Sequence, residues 1–451
     1  MLGQVALPLC FLFIIIALRK DIEESQGISN ALWIPFIWTA ISASKNISYW
    51  IDPKLQVNFN PEFNYISGSS RDRLFFLVLI CLGVIVLFKR KNKIRVPFTE
   101  NVWIYLLVFY SLLSISWSDY QSVSAKRWVR FAGDFIMVLI ILSEDDPTEA
   151  IERIFRRCII LLIPLSIVFI KYYRYIGVKY NYSGDYEMWV GVTTDKNNLG
   201  ILCAFGSIFL IWRILNVLPK IDFFDMFLLF LSLYLLAGSR SSRSSTSIVV
   251  FIIGLFLMLG IFFLKYDVTK IKKLLFSSVL LFIILQVILI NFLNYSALSV
   301  FFSMTGREST LTGRVPLWQE LIKIGSQRPI LGTGYGGFWI GSLTHNLWDT
   351  FGWKPTQGHN GYLDIFLELG IVGLFIVLLI IINTYNKIIL SFAKNDKMAQ
   401  LRIVFFFMIL LHNLSESSIV HPTNYLWITF LFSAVYSYMS PAYKNVDLSN
   451  G

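Results

Sequence analysis

Residues 311–374 read LTGRVPLWQELIKIGSQRPILGTGYGGFWIGSLTHNLWDTFGWKPTQGHNGYLDIFLELGIVGL, the longest polar interruption in a chain that is otherwise mostly apolar runs. Those runs are about 15 to 22 residues long, the length that crosses roughly 30 Å of hydrocarbon as a helix. With 56% hydrophobic and 15% charged residues and a mean hydropathy of +0.64, the sequence does not describe a soluble globular protein. In hydrocarbon an unpaired backbone group costs several kcal/mol, so each run has to be helical. Period-two alternation is absent, which excludes a β-barrel. The fold class is an all-α polytopic integral membrane protein.

Working outward, the candidate spans are 2–18, 30–44, 73–88, 102–117, 130–143, 158–173, 199–215, 222–238, 246–264, 273–291, 362–383, 402–416 and 424–439. That predicts about 12–13 transmembrane helices, the second being weak because it is short and contains Pro35. Met1 to Leu18 lacks a basic start and a small-residue cleavage site, so it is expected as a retained first helix. The whole chain, 1–451, reads as one integral domain without internal repeats. Its large loop is 292–361, and its C-terminal motif region is 311–440.

Orientation follows the Lys and Arg of short loops. The densest basic segment, KRKNKIR (Lys89 to Arg95), is expected in the cytoplasm. Counting onward puts Glu152–Arg157, Arg213–Lys220, Lys265–Lys273 and Lys387–Arg402 on the same side. Loops 117–129, 174–198, 239–245, 292–361 and 417–423 then fall outside. The net charge of +11 is accounted for by this bias and by anionic lipid, and no Arg–aromatic blocks mark a nucleic-acid-binding module. The four cysteines lie inside apolar runs, so neither a disulfide framework nor a zinc site is expected.

The outer loops nevertheless hold cations: Lys171, Arg174, Lys179, Lys196, Arg240, Arg243, Arg307 and Arg314. Arg suits a phosphate, because its fork of donors meets two oxygens and never deprotonates. Arg240 and Arg243, three apart in AGSRSSRSSTS, sit among hydroxyls at an outward helix N-terminus, which favours an anion; the alternative is a pair of arginines snorkelling to headgroups. Arg314 opens a short amphipathic helix with Val315, Trp318, Leu321 and Ile322 at helical spacing. GTGYGGF (Gly332 to Phe338) is a turn whose backbone either approaches a ligand or simply bends the chain. Trp318, Trp339, Trp348 and Trp353, with Tyr335 and Phe338, are suited to stack on sugar rings or to anchor at the membrane interface. His359, at the mouth of a span, is the side chain best able to take a proton from a hydroxyl near neutral pH. Glu368, just inside the apolar run, needs a partner.

The segments WSDYQSVSAKRW (117–128), TTDKNNLG (193–200), SRSSTS (242–247), LTGRVPLWQELI (311–322), RPILGTGYGGFW (328–339), HNGYLDIFLELGIVGL (359–374) and NLSES (413–417) together resemble the O-antigen ligase and Wzy-type polymerase superfamily, in its ExoQ-like exopolysaccharide-polymerase branch. The resemblance implies a GT-C-type fold with a large extracytoplasmic loop. It implies inverting, metal-independent transfer from an undecaprenyl-diphosphate-linked oligosaccharide to a saccharide acceptor, without cofactors. The site would face the periplasm from a bacterial inner membrane, and a polysaccharide co-polymerase is an expected partner. Carried over by motif, Arg240 or Arg243 and Arg314 bind the diphosphate, His359 activates the acceptor hydroxyl, and Lys196 adds a phosphate contact. A polymerase is favoured over an O-antigen ligase acting on lipid A–core. A flippase would need paired mid-membrane breaks, which the sequence does not show.

Overall fold

The computed structural model describes residues 2–25, 27–52, 69–91, 98–180, 186–217, 222–239, 242–264, 267, 269–271, 273, 314–351, 354–394 and 396–435. Among them the chain is mostly helical. We number the longer helices α1 (Leu2–Glu24), α2 (Trp33–Ser42), α3 (Ile47–Ile51), α4 (Ser70–Lys89), α5 (Phe98–Leu113), α6 (Gln121–Leu142), α7 (Pro147–Tyr172), α8 (Lys196–Val217), α9 (Phe223–Ala237), α10 (Ser245–Phe263), α11 (Arg314–Gly325), α12 (Ser342–Phe351), α13 (Gly361–Ala393), α14 (Met398–His412) and α15 (Tyr425–Val435). Each expected span has a helix at its centre except 273–291, which lies outside the described residues but for its first. Arg240, Arg307 and Trp353 lie outside them too, as does loop 292–361 up to residue 313.

Helices begin where a side-chain oxygen can accept from the orphan N–H groups of the first turn. Asp146 accepts from Thr148 and Glu149 with Pro147 in the first turn, Asp222 accepts from Phe224, and Asn360 accepts from Tyr362 and Leu363. Four described stretches are long and apolar enough to cross a membrane: Phe98–Trp117, Lys196–Asn216, Ser245–Phe263 and Gly361–Ala393. The first three differ in position. The Lys196–Asn216 window is 78% buried by protein, against 33% for Phe98–Trp117 and for Ser245–Phe263, so α8 is the most deeply packed of these four. It packs on α9 and α10, while α1 lies along α7. On the outside, Val249, Ile252 and Phe256 of α10 and Ile371, Phe375, Leu378 and Ile382 of α13 form exposed apolar stripes.

Fewer described helices meet the length and apolarity of a span than the sequence predicted: Phe223–Ala237, Met398–His412 and Tyr425–Val435 are apolar but shorter, and two other expected spans depart in their own ways. The second expected span is a single turn, Asn30–Leu32, followed by the ten residues of α2, and its Leu32, Phe36 and Trp38 are covered by protein. In α7, Arg153, Arg156 and Arg157 lie inside the helix and are buried rather than forming a cytoplasmic loop. Asp21, Glu24, Asp222 and Asp225 surround Arg156 at 2.5–3.2 Å, and Arg157 and Arg153 also pair with Asp21. This network ties α1, α7 and α9 together, with Arg213 of α8 bonded to Asp225.

Two further departures shape the other end of the bundle. A small antiparallel hairpin, β1 (Val178–Tyr180) with β2 (Glu187–Trp189), joins α7 to α8, so the chain is not purely helical. Helix α13, expected to run straight through 362–383, is broken at Gly370, whose φ of 65° and ψ of −165° leave the helical region. The break frees backbone groups that the segment 329–334 satisfies. Ile371 N donates to Pro329 O (2.8 Å), Thr333 N to Leu367 O (3.0 Å) and Gly334 N to Glu368 O (2.9 Å). A Cβ at Gly370 would lie 2.1 Å from Ile330 O, and one at Gly332 2.5 Å from Glu368 C. The glycine turn thus approaches the protein's own backbone and bends the chain.

Arg156 is 1% exposed at its side chain, with four carboxylates around it. Removing one member of such a network leaves uncompensated buried charge. Arg156→Ala is therefore expected to lower stability by about 3–5 kcal/mol. Thermal unfolding followed by size-exclusion recovery in detergent measures this, and an unchanged melting temperature would contradict it.

Candidate active site

A cavity of about 730 Å³ opens at the hairpin end of the bundle. Its walls come from residues 41–46, the first turns of α6 and α8, the glycine turn, residues 356–369, and the connection 412–426 between α14 and α15. Along α8, Asn197 at this end and Arg213 in the ion network are sixteen positions apart, or about 24 Å of helix rise. The cavity and the network therefore occupy opposite ends.

Glu416 is the hub of one wall. Its Oε1 accepts from Arg314 Nη2 (3.2 Å) and Asn197 Nδ2 (3.0 Å), and its Oε2 from Gln357 Nε2 (2.8 Å), with His359 Nδ1 at 3.0 Å. Arg314 is held from behind, since its Nη1 donates to Ser415 O at 2.8 Å. Asn197 is placed by Asp195, which caps the first turn of α8 by accepting from Asn197 N and Asn198 N. His359 precedes the Asn360 cap of α13 and has a φ of 49°; Val420 (63°) and Thr423 (53°) in the facing connection share this uncommon region. Non-glycine residues in that region persist only where their surroundings over-determine them, and such positions cluster at functional sites.

Burial pushes the Glu416 carboxyl up, but the hydrogen bond from His359 and the charges of His359, Arg314 and His412 more than offset it. It therefore titrates below the usual glutamate range. The lining also holds six cations from four elements, Arg73, Lys126, Arg127, Arg130, Lys179 and Lys196, beside the carboxylates of Asp195, Asp364, Glu368 and Glu416. Arg127 donates to Gly336 O, and Gly336 N donates to Glu368 Oε2 at 2.9 Å. The partner that Glu368 needs is thus the glycine turn, with Arg127 bound to the same peptide residue. Burial pulls the Lys179 ammonium below its usual range, against the charge of Asp195.

Of the residues singled out from sequence, His359, Lys196, Tyr335, Trp339 and Glu368 line the cavity, and Arg314 reaches it through Glu416. Arg243 does not line it: its side chain is exposed and its Nε donates to Ala237 O at 2.9 Å. The serines beside it serve the fold. Ser242 Oγ accepts from Trp189 N on β2, and Ser244 Oγ accepts from Ser247 N at the start of α10. Lys171 and Arg174 are used locally too, over the Trp189 and Tyr234 rings and against Glu187.

The aromatic residues of 314–348 mostly form a small core of their own. Leu317, Leu321, Phe338, Trp339, Leu347 and Leu367 pack together with Trp318 against them. Trp318 Nε1 donates to Gly358 O and Trp339 Nε1 to Asp364 Oδ1, while Tyr335 is 1% exposed with its hydroxyl on Val420 O. Leu317 and Leu321 make the buried face of α11, whereas Ile322 is 52% exposed, so the apolar face is rotated from the expected one. Among the described residues no group of three or more His, Cys, Asp or Glu is placed to hold a metal ion.

Sequence reasoning missed Glu416, Gln357, Asn197, Arg127 and Arg130. Glu416 was read as the last residue of a span at 402–416, but α14 ends at His412 and leaves it in the connection. The signal available was that Glu416, Asn197 and Arg127 fall inside the NLSES, TTDKNNLG and WSDYQSVSAKRW segments.

Two comparisons with known proteins give matches. Residues 226–378 match the Wzy_C family, described as O-antigen ligase. It is also similar to the exopolysaccharide production protein ExoQ of Rhizobium meliloti (strain 1021), at 22% identity over 319 residues, 70% of this chain and 71% of that one. Both agree with the resemblance carried by the sequence motifs, and with the apolar helices they indicate a multi-pass membrane protein. The Wzy_C segment holds Arg314 and His359, whereas Arg127, Lys196 and Glu416 lie outside it in sequence and reach the same cavity through the fold.

The Glu416 shift has a consequence for stability. A carboxylate whose folded pKa lies below its unfolded value of 4.5 adds stability that is fully present above that value and is lost as pH falls through the folded pKa. Melting temperature in detergent is thus expected to fall more steeply below pH 4.5 in the wild type than in Glu416→Gln. Parallel acid profiles would rule out the ionised carboxylate.

Proposed function

We propose that this protein is an inverting glycosyltransferase that polymerises an undecaprenyl-diphosphate-linked oligosaccharide in surface polysaccharide synthesis. The observation that carries the reading is the cavity whose lining brings His359 together with six cations. Its volume is that of a ligand pocket, and its charge suits a diphosphate. In this reading the acceptor hydroxyl attacks the anomeric carbon from the face opposite the diphosphate, and its proton passes to His359. The carbon–oxygen bond to phosphate breaks, and the electron pair leaves with undecaprenyl diphosphate. Arg127, Arg130 and Lys196 are assigned to the growing phosphate charge, the part that the family resemblance gave to Arg240 or Arg243 and Arg314, with Lys196 as a further contact. Preorganised charge of this kind is commonly the largest contribution to such a step. Side chains then do the neutralising, so the scheme is metal-independent.

The site is assigned to the periplasmic face of a bacterial inner membrane, in a GT-C-type fold whose large loop is 292–361. Support comes from the Lys and Arg of the short loops, which put the cavity-lining connections outside. Similarity to a protein of exopolysaccharide production supports a role in making such a polymer, and polymerisation, with a co-polymerase as partner, is the reading taken here. The description of the matching family favours a second reading, transfer of a finished chain to lipid A–core.

The test is full-length protein in detergent with an undecaprenyl-diphosphate-linked oligosaccharide, offered either its own kind or lipid A–core as acceptor. Release of undecaprenyl diphosphate with lengthening of the saccharide supports polymerisation. Transfer only to lipid A–core supports the second reading, and translocation without bond formation would overturn both. His359→Ala is expected to slow transfer by about 10²–10⁴-fold at normal protein level. Lys196→Ala is expected to raise KM for the lipid-linked donor, and EDTA to leave the rate unchanged. Wild-type rates in His359→Ala would remove the general base from the scheme.

A further inference from the structure

The four polar groups on Glu416 determine more than its own charge. Each oxygen faces two nitrogens: Oε1 faces Arg314 and Asn197, and Oε2 faces Gln357 and His359. An ionised carboxylate only accepts, so all four nitrogens must bring a proton. For Arg314 that is given by chemistry. For Gln357 the orientation of the amide is fixed by its neighbour, because Gln357 Oε1 accepts from Ser417 N (3.3 Å) and thereby turns Nε2 toward Glu416. For His359 the consequence is a tautomer. A bare Nδ1 would set its lone pair against Oε2 at 3.0 Å.

We propose that Glu416 is a positioning residue for His359, holding the ring as the Nδ1–H tautomer so that Nε2 carries the lone pair, with Arg314 anchoring the carboxylate. Arg314 is suited to the anchoring role by its two contacts, Nη1 to Ser415 O and Nη2 to Glu416 Oε1, and it does not itself line the cavity. The other charged or titratable groups about the carboxylate come from different elements. They are His412 at the end of α14, and Asp364 on α13, which Ser417 Oγ bonds. Neither supplies a donor to Glu416 among the described hydrogen bonds, so the guanidinium is its charged partner and the ring its titratable one. In a neutral imidazole the nitrogen without hydrogen is the base, and a carboxylate on the other nitrogen stabilises the cation formed when the proton arrives.

The inference rests on His359 acting as the base of the proposed transfer, and its test has one arm that does not. Full-length protein labelled with ¹⁵N-histidine is studied in detergent at a pH where the ring is neutral. The His359 signals are assigned by their disappearance in His359→Asn. The expected wild-type spectrum is the Nδ1–H tautomer, and an Nε2–H ring would overturn the proposal without any variant. In Glu416→Gln the Nδ1–H fraction should fall; an unchanged ratio would also overturn it. In the transfer assay Glu416→Gln should lower kcat by about 10²-fold or more while KM changes by less than about threefold. A kcat within threefold of wild type, with His359→Ala inactive, would sink the inference and leave the proposed function standing. If wild-type protein transfers nothing, the function fails and the tautomer measurement alone decides for or against Glu416.

Discussion

The break in α13 is the constraint on which this architecture depends. A helix that stops at Gly370 and restarts leaves N–H and C=O groups without intrahelical partners, and inside an apolar bundle each must be satisfied. The segment 329–334 satisfies them, with hydrogen bonds running in both directions between it and residues 367–371. Tyr110 adds its hydroxyl to Leu369 O. This exchange seats the glycine turn, and the turn in turn carries Tyr335, Gly336 and Trp339 into the cavity wall. Upstream of the break, the short first part of α13 presents Asp364 and Glu368, each bonded to that loop region through Trp339 and Gly336.

A second constraint is the treatment of buried charge. At one end of the bundle, Arg156 and its neighbours are matched against Asp21, Glu24, Asp222 and Asp225. A low-dielectric interior requires such compensation, because an unpaired ion there is costly. At the other end the balance is different. Glu416 is satisfied by its ring of donors, while Arg73, Lys126, Arg130, Lys179 and Lys196 line an open cavity. One end of the bundle thus surrounds Arg156 with carboxylates, and at the other end six cations and four carboxylates share the lining of one cavity.

The relation between the matching domain and the cavity follows from this packing. The Wzy_C segment contributes the turn, the broken helix, Arg314 and His359. The partners that orient or complement these groups come from α6, α8 and the connection after α14, which are distant in sequence. Single-helix placement explains why: each contributing residue lies within a turn or two of a helix end, and those ends meet only when the bundle is assembled.

Sequence alone determined the membrane-helical class, because apolar runs of spanning length leave the backbone no other way to pair. It also marked His359, Lys196, Glu368 and the glycine turn, since their residue types stand out against an apolar background. What it left undetermined was which cations share a space. Arg243 and Arg314 looked alike as polar arginines at helix mouths, yet one turns back to Ala237 O and the other to Glu416. Glu416 and Arg127 looked like ordinary loop and helix-end charges until packing put them on the same cavity. Periodicity reports which face of a helix is apolar, whereas the direction of a long charged side chain is set by the partners that tertiary structure brings within reach.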